Sequence, residues 1–146
     1  MIILRAMKPG EGELPKPGWS ARTLGAKCNV DIPITEDGCV EPEMGGVSVS
    51  PPPPENLPPI RLPRELGGRG KDPVWELETD ELSDGLVYRP DPDNPETHGF
   101  IEPALRRDGL RVVLTVGGLG AEYDEPRLGL VWHVTAGGRC VPRARL

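Results

Sequence analysis

Aromatic residues are scarce in this chain: one Phe, two Tyr and three Trp among 146 residues, 4% in all. Broad helix–helix interfaces plated with rings are therefore not expected, and the interior must rest on Val, Leu and Ile, which suit short strands. Long hydrophobic runs are missing too. No stretch reaches the ~18 apolar residues that read as a membrane span. The opening residues Met1-Ile2-Ile3-Leu4-Arg5-Ala6-Met7 meet Pro9 and Gly10 before a signal-peptide core forms, so export by the general secretory route is not expected, although delivery by a dedicated contact-dependent machine leaves no such mark. Cysteine is limited to Cys28, Cys39 and Cys140, an odd number without CxxC spacing. That argues against a disulfide framework and a zinc site, and favours reduced thiols in a cytoplasmic setting. Basic charge is in deficit: 17 Lys and Arg against 23 Asp and Glu leave a net charge of −6. A phosphate-backbone partner needs clustered cations, so no nucleic-acid footprint is read.

What the chain has in plenty is turn chemistry, with 19 Gly and 19 Pro beside an apolar share of 36%. Its length suits one domain, expected to be a monomer with a single β-rich core and long loops. Charge is uneven along it. Residues 1–103 carry 10 basic and 19 acidic side chains, whereas residues 104–146 carry seven Arg, no Lys and four acids.

Residues 2–6 read as a first strand, apolar enough to be buried on both faces, ended by Lys8-Pro9-Gly10. Residues 19–24 form the one candidate helix in a Pro/Gly-rich stretch. Asp37-Gly38 is a type I′ pair able to turn a strand at 30–32 back on residues 39–40. In Gly45-Gly46-Val47-Ser48-Val49-Ser50 strict alternation puts the valines on one face and the hydroxyls on the other. Pro51 to Pro54 must leave the sheet, since proline brings no ladder donor, and the segment to Pro63 stays proline-rich. Further strands are expected at 74–78, 86–88, 98–103, 110–116 and 128–134, with one helical turn at 79–82.

Chemistry-bearing side chains are few. Arg5 interrupts a buried strand, so its guanidinium needs a carboxylate or phosphate-like acceptor unless it sits on an edge and reaches solvent. Ser48 and Ser50 on one face suit a ribose, and equally suit the wet face of a half-buried sheet. Glu102, at a strand end near His98, has the charge to stabilise an oxocarbenium-like transition state, or is a solvated glutamate. His98 beside Gly99 is a candidate ligand contact or a residue completing a local hydrogen bond. Neither histidine stands at metal spacing. Arg64, Arg69 and Lys71 among Gly67, Gly68 and Gly70 could meet a pyrophosphate, but the GK[ST] ending of a P-loop is missing.

Taken in order, Leu4-Arg5-Ala6, Asp37-Gly38, Gly45-Gly46-Val47-Ser48-Val49-Ser50 and His98-Gly99-Phe100-Ile101-Glu102-Pro103-Ala104 resemble the ADP-ribosyltransferase-like toxins delivered by type VI secretion. The resemblance covers about residues 1–104. It implies an α+β fold with an ADP-ribosyltransferase-like split β-core, long Pro/Gly-rich loops and few short helices. It also implies a cleft that takes NAD as a substrate, action in the cytoplasm of a target bacterium, and a cognate immunity protein in the producer. The catalytic set implied is Arg5, Ser48 and Glu102, with Arg5, Gly46, Ser48, Ser50 and His98 contacting NAD. Residues 105–146 depart from the family pattern and read either as a pair of strands or as a shifted reading frame. The rival reading from another class is a non-catalytic β-type interaction domain that docks a partner through residues 51–63.

Overall fold

The first strand forms where the sequence leaves it no alternative: in the run Ile2–Ala6, β1, apolar side chains occupy both parities, and only a strand covered on two sides hides them. The computed structural model describes residues 1–11, 15–16, 20–25, 30–33, 35–36, 39–82, 86–104, 107–108 and 141–142. β1 pairs antiparallel with β4 (Val74–Glu78), Ile3 opposite Leu77 and Arg5 opposite Trp75. A second antiparallel sheet has the order β3 (Val47–Val49), β6 (Gly99–Pro103), β5 (Leu86–Pro90). A short ladder joins β2 (Cys39–Val40) to β7 (Arg107–Asp108), and β8 (Val141–Pro142) pairs with β4. The protein is thus β-rich, and helical structure among the described residues is confined to 3-10 turns, including Pro54–Asn56, Arg64–Leu66 and Thr79–Glu81. No helix among them is long and apolar enough to cross a membrane.

The main core lies between the two three-stranded sheets. One parity of β1 and β4 sends in Ile3, Trp75 and Leu77, the facing sheet sends Val47, Val49, Leu86 and Ile101, and Met7, Leu24, Ile32 and Val40 fill in from loops and β2. Trp75 is buried, and its indole Nε1 donates to the Met7 carbonyl at 2.9 Å, which satisfies the one polar atom that burial would otherwise orphan. The opposite parity of the first sheet presents Leu4 and Val74, and these are covered by Leu57 and Leu62. The proline-rich segment is therefore a lid on the outer face of β1 and β4, with Pro51 and Pro54 buried. Each leucine taken from water there contributes about 1.5–3 kcal/mol.

Among the described residues, one backbone bridge joins the two sheets. Leu4 N–H donates to the Ser50 carbonyl at 2.7 Å and Ser50 N–H returns to the Leu4 carbonyl at 2.9 Å, an isolated antiparallel bridge just beyond β3. It holds the C-terminal half of β1 beside Ser48 and Ser50.

Several expectations change in detail. Residues 20–25 make a turn, with Thr23 N–H donating to the Ser20 carbonyl at 3.2 Å, and no helix. Residues 30 and 31 are also a turn, leading into Ile32. Strand β5 extends through Pro90, which pairs with Gly99 at an edge where no donor is needed. The strands expected at 110–116 and 128–134, the Asp37-Gly38 turn, Cys28 and Cys140 lie outside the described residues.

Candidate functional site

Arg5 has the inward parity of Ile3, so its stem enters the core while its guanidinium reaches the bridge between the sheets. It is 7% exposed. The acceptor it finds is not a carboxylate, as expected, but backbone: Nη1 donates to the Ser48 carbonyl at 2.6 Å, and Nε and Nη2 donate to the Thr23 carbonyl at 3.2 and 2.9 Å. Nη2 also approaches the Ser20 carbonyl at 3.4 Å. The physical reason is geometric: the turn at 20–24 leaves carbonyls without strand partners, and a planar fork with five donors matches several at once. Burial is the main force lowering the Arg5 pKa, to about 10, with Asp31 opposing and the nearby Arg61 adding to the fall. The group remains a cation at neutral pH.

Around that cation lies a cavity of about 170 Å³ lined by Arg5, Ser48, Ser50, Arg61 and His98, with Leu57 and Pro58 on its apolar side. Four of the five residues proposed from sequence to contact NAD thus converge. Gly46, the fifth, does not line the cavity. Its own role is close approach: a Cβ there would lie 2.2 Å from the Ile101 carbonyl and 3.3 Å from Glu102 Cβ, so only glycine lets the chain press on β6. Ser48 is exposed, as the alternation required, but Ser50 is buried, because the chain turns toward β1 after Val49.

Glu102 does not line this cavity either. It stands on the outer face of the second sheet with Ser48, Arg89 and Phe100. Ser48 is directly opposite Phe100, so Glu102 is its diagonal neighbour, roughly 7–8 Å away across the ladder. It is no solvated strand end: the side chain is 3% exposed, and Arg89 Nε pairs with Oε2 at 2.9 Å. The Glu43 N–H donates to the same oxygen at 3.1 Å, from a residue in the left-handed region (φ 64°). Both contacts from the described residues go to Oε2, and none of their donors reaches Oε1. Arg89 also lies over the Phe100 ring, 5.1 Å from its centroid, so the pair is braced on both sides.

Of the two readings of His98, the structure shows the local hydrogen bond. Its Nδ1 pairs with Asp91 Oδ2 at 2.7 Å, its ring meets Phe100 edge-on at 4.7 Å, and it also lines the cavity. The His98 hydrogen bond, seconded by the Asp93 N–H, holds the Asp91 carboxyl below its usual value. Backbone bonds from Asp91 N–H to the His98 carbonyl (3.0 Å) and from His98 N–H to the Asn94 carbonyl (2.9 Å) close the β5–β6 loop around the pair.

The basic glycine loop lies elsewhere. Arg64, Gly70 and Lys71 line a larger cleft of about 620 Å³ between the lid and the start of β4, together with Glu65 and Asp72. Mixed charge there gives no preference for an anion. Reasoning from sequence missed Arg61, Arg89, Glu43 and Asp91. Arg89 was legible in principle, because it shares a parity with Val87, outward from a strand paired to the one bearing Glu102. Arg61 sits in the proline-rich stretch expected to leave the sheet, and only the burial of Leu57 and Leu62 turns that stretch inward. Compared with protein-family models, with curated proteins and with solved structures, the chain matches none.

Proposed function

We propose that this chain is a NAD-dependent ADP-ribosyltransferase-like toxin domain acting in the cytoplasm of a target bacterium. The observation that supports it is the convergence of Arg5, Ser48, Ser50 and His98, drawn from three separate parts of the sequence, on one cavity. At about 170 Å³ the cavity is smaller than the ~300–1,000 Å³ of sites that enclose a drug-sized ligand, so it takes only part of the dinucleotide. The remainder lies along the outer face of the second sheet toward Glu102. In this reading Arg5 fixes the wall of the cleft through the Ser48 carbonyl, and Ser48 and His98 meet the ligand. The Glu102 Oε1 accepts a ribose hydroxyl, and its charge stabilises the sugar cation as the bond from ribose C1′ to nicotinamide nitrogen breaks. The electron pair leaves with neutral nicotinamide. A nucleophilic acceptor then bonds C1′ and gives up its proton. Arg89 and the Glu43 N–H hold Oε2 and so aim Oε1. The split β-core of that class, and a cognate immunity protein with a basic surface to suit the acidic body, belong to the same reading.

The test is isothermal titration of NAD into the full chain beside Glu102→Gln, with nicotinamide release followed by chromatography and folding checked by circular dichroism. Saturable heat in both proteins, with release in the variant slowed about 10²–10³-fold, is expected. No saturable heat from a well-folded parent refutes the proposal.

A further inference from the structure

Among the described residues, nothing neutralises the Arg61 cation by contact. Its backbone is fixed: Arg61 N–H and Leu62 N–H both donate to the Pro58 carbonyl at 2.8 Å, Arg69 N–H to the Pro59 carbonyl and Gly70 N–H to the Leu62 carbonyl at 2.7 Å each. Gly70 presses so close that a Cβ would lie 2.4 Å from the Arg61 carbonyl oxygen. Its side chain is half-buried and lines the cavity, yet its guanidinium makes no hydrogen bond or ion pair among the described residues. The nearby Asp72 is already engaged, both its oxygens held by Arg22 at 2.7 Å. Across the cavity stands Arg5, whose charge is hydrogen-bonded only to neutral carbonyls. Two guanidiniums, the imidazole of His98 and two serines thus line about 170 Å³, and no carboxylate is among the described residues that line it. Like charges facing a small, partly dry space are relieved by an oxyanion, and a guanidinium with free donors is the group that binds one in a forked geometry.

We infer that this cavity is an oxyanion site in which Arg61 is the principal ligand, taking a phosphate group. The phosphate is that of NAD if the function proposed above holds, and on that reading alone does its source depend. Arg61 then holds the central pyrophosphate of the dinucleotide at the cavity, and the nicotinamide ribose runs from it toward Glu102. The second guanidinium supplies field, and contact donors come from Arg61 and the Ser48 hydroxyl.

The experiment titrates inorganic pyrophosphate and, separately, NAD and nicotinamide riboside into the full chain, Arg61→Gln and Arg61→Lys, at low and at physiological salt. Pyrophosphate binding by the parent, weakened about ten- to a hundredfold in Arg61→Gln, partly restored in Arg61→Lys and weakened by salt, supports the site. If NAD follows the same order while nicotinamide riboside does not, the phosphate is that of the dinucleotide. Pyrophosphate binding with no NAD binding keeps the oxyanion site and refutes the NAD reading. Equal binding of pyrophosphate by parent and Arg61→Gln, or none by the folded parent, overturns the inference.

Discussion

Replacing Arg5 with methionine keeps most of the stem's volume and deletes every donor. The carbonyls of Thr23 and Ser48 then lose their partners in a buried place, and each orphaned acceptor costs about 1–3 kcal/mol. Part of this is returned, because a desolvated cation whose pKa is pushed down to about 10 is no longer held in the core. The net expectation is a loss of about 2–4 kcal/mol, or roughly 1–2 M in the urea midpoint at a slope near 2 kcal/mol per M. Arg5→Lys keeps one cationic head, reaches one of the two carbonyls, and recovers about half of that loss. Tryptophan fluorescence during urea unfolding is a suitable signal, since Trp75 is buried directly opposite Arg5 in the ladder. An Arg5→Met midpoint within about 0.3 M of the parent, or a lysine variant weaker than the methionine one, would refute the view that Arg5 is a backbone clamp. The result bears on function as well. Under the function proposed above, a fall in NAD binding in an Arg5 variant would report a lost cleft wall, so Glu102 and Arg61 are the positions at which to test ligand contact.

Three further outcomes follow from the same geometry. Asp72→Asn removes a two-point pair with Arg22, whose hydrogen bonds lower the Asp72 pKa from 3.8; stability above pH 5 falls by about 1 kcal/mol, and the gap closes as pH drops through the depressed folded pKa, read from acid-unfolding curves. Arg89→Met leaves a buried carboxylate with one backbone donor and costs about 1–3 kcal/mol, at least half of which returns in the Arg89→Met, Glu102→Gln double variant if the pair is what holds the face together. Gly46→Ala forces a methyl to 2.2 Å from the Ile101 carbonyl, so a melting-temperature loss equivalent to about 1–3 kcal/mol is expected, with Glu102 displaced; an unchanged melting temperature would show that β3 and β6 separate freely.

Ile2–Ala6, Val47–Val49, Val74–Glu78 and Gly99–Pro103 were legible from sequence because their burial is set by period-two alternation or by unbroken apolar runs. The same alternation foretold that Val47 and Val49 face the core and that Ser48 does not. Composition alone excluded a ring-rich helical interior. Partners were a different matter, since hydrogen-bond acceptors and ion pairs are chosen by proximity in space. Nothing within a few residues of Arg5 announces that Thr23 and Ser48 will hold its guanidinium, and Glu102 owes its ion pair to Arg89, 13 positions earlier. The proline-rich segment shows the limit most sharply. Its residues read only as a stretch that must leave the sheet, and the outer face of β1 and β4, left apolar by Leu4 and Val74, turned it into a lid that carries Arg61 into the cavity. Local pattern determined which residues are strands and which way they face. Tertiary packing decided which of the few polar groups would meet, because burial makes each of them seek a partner and only the folded chain brings one within reach.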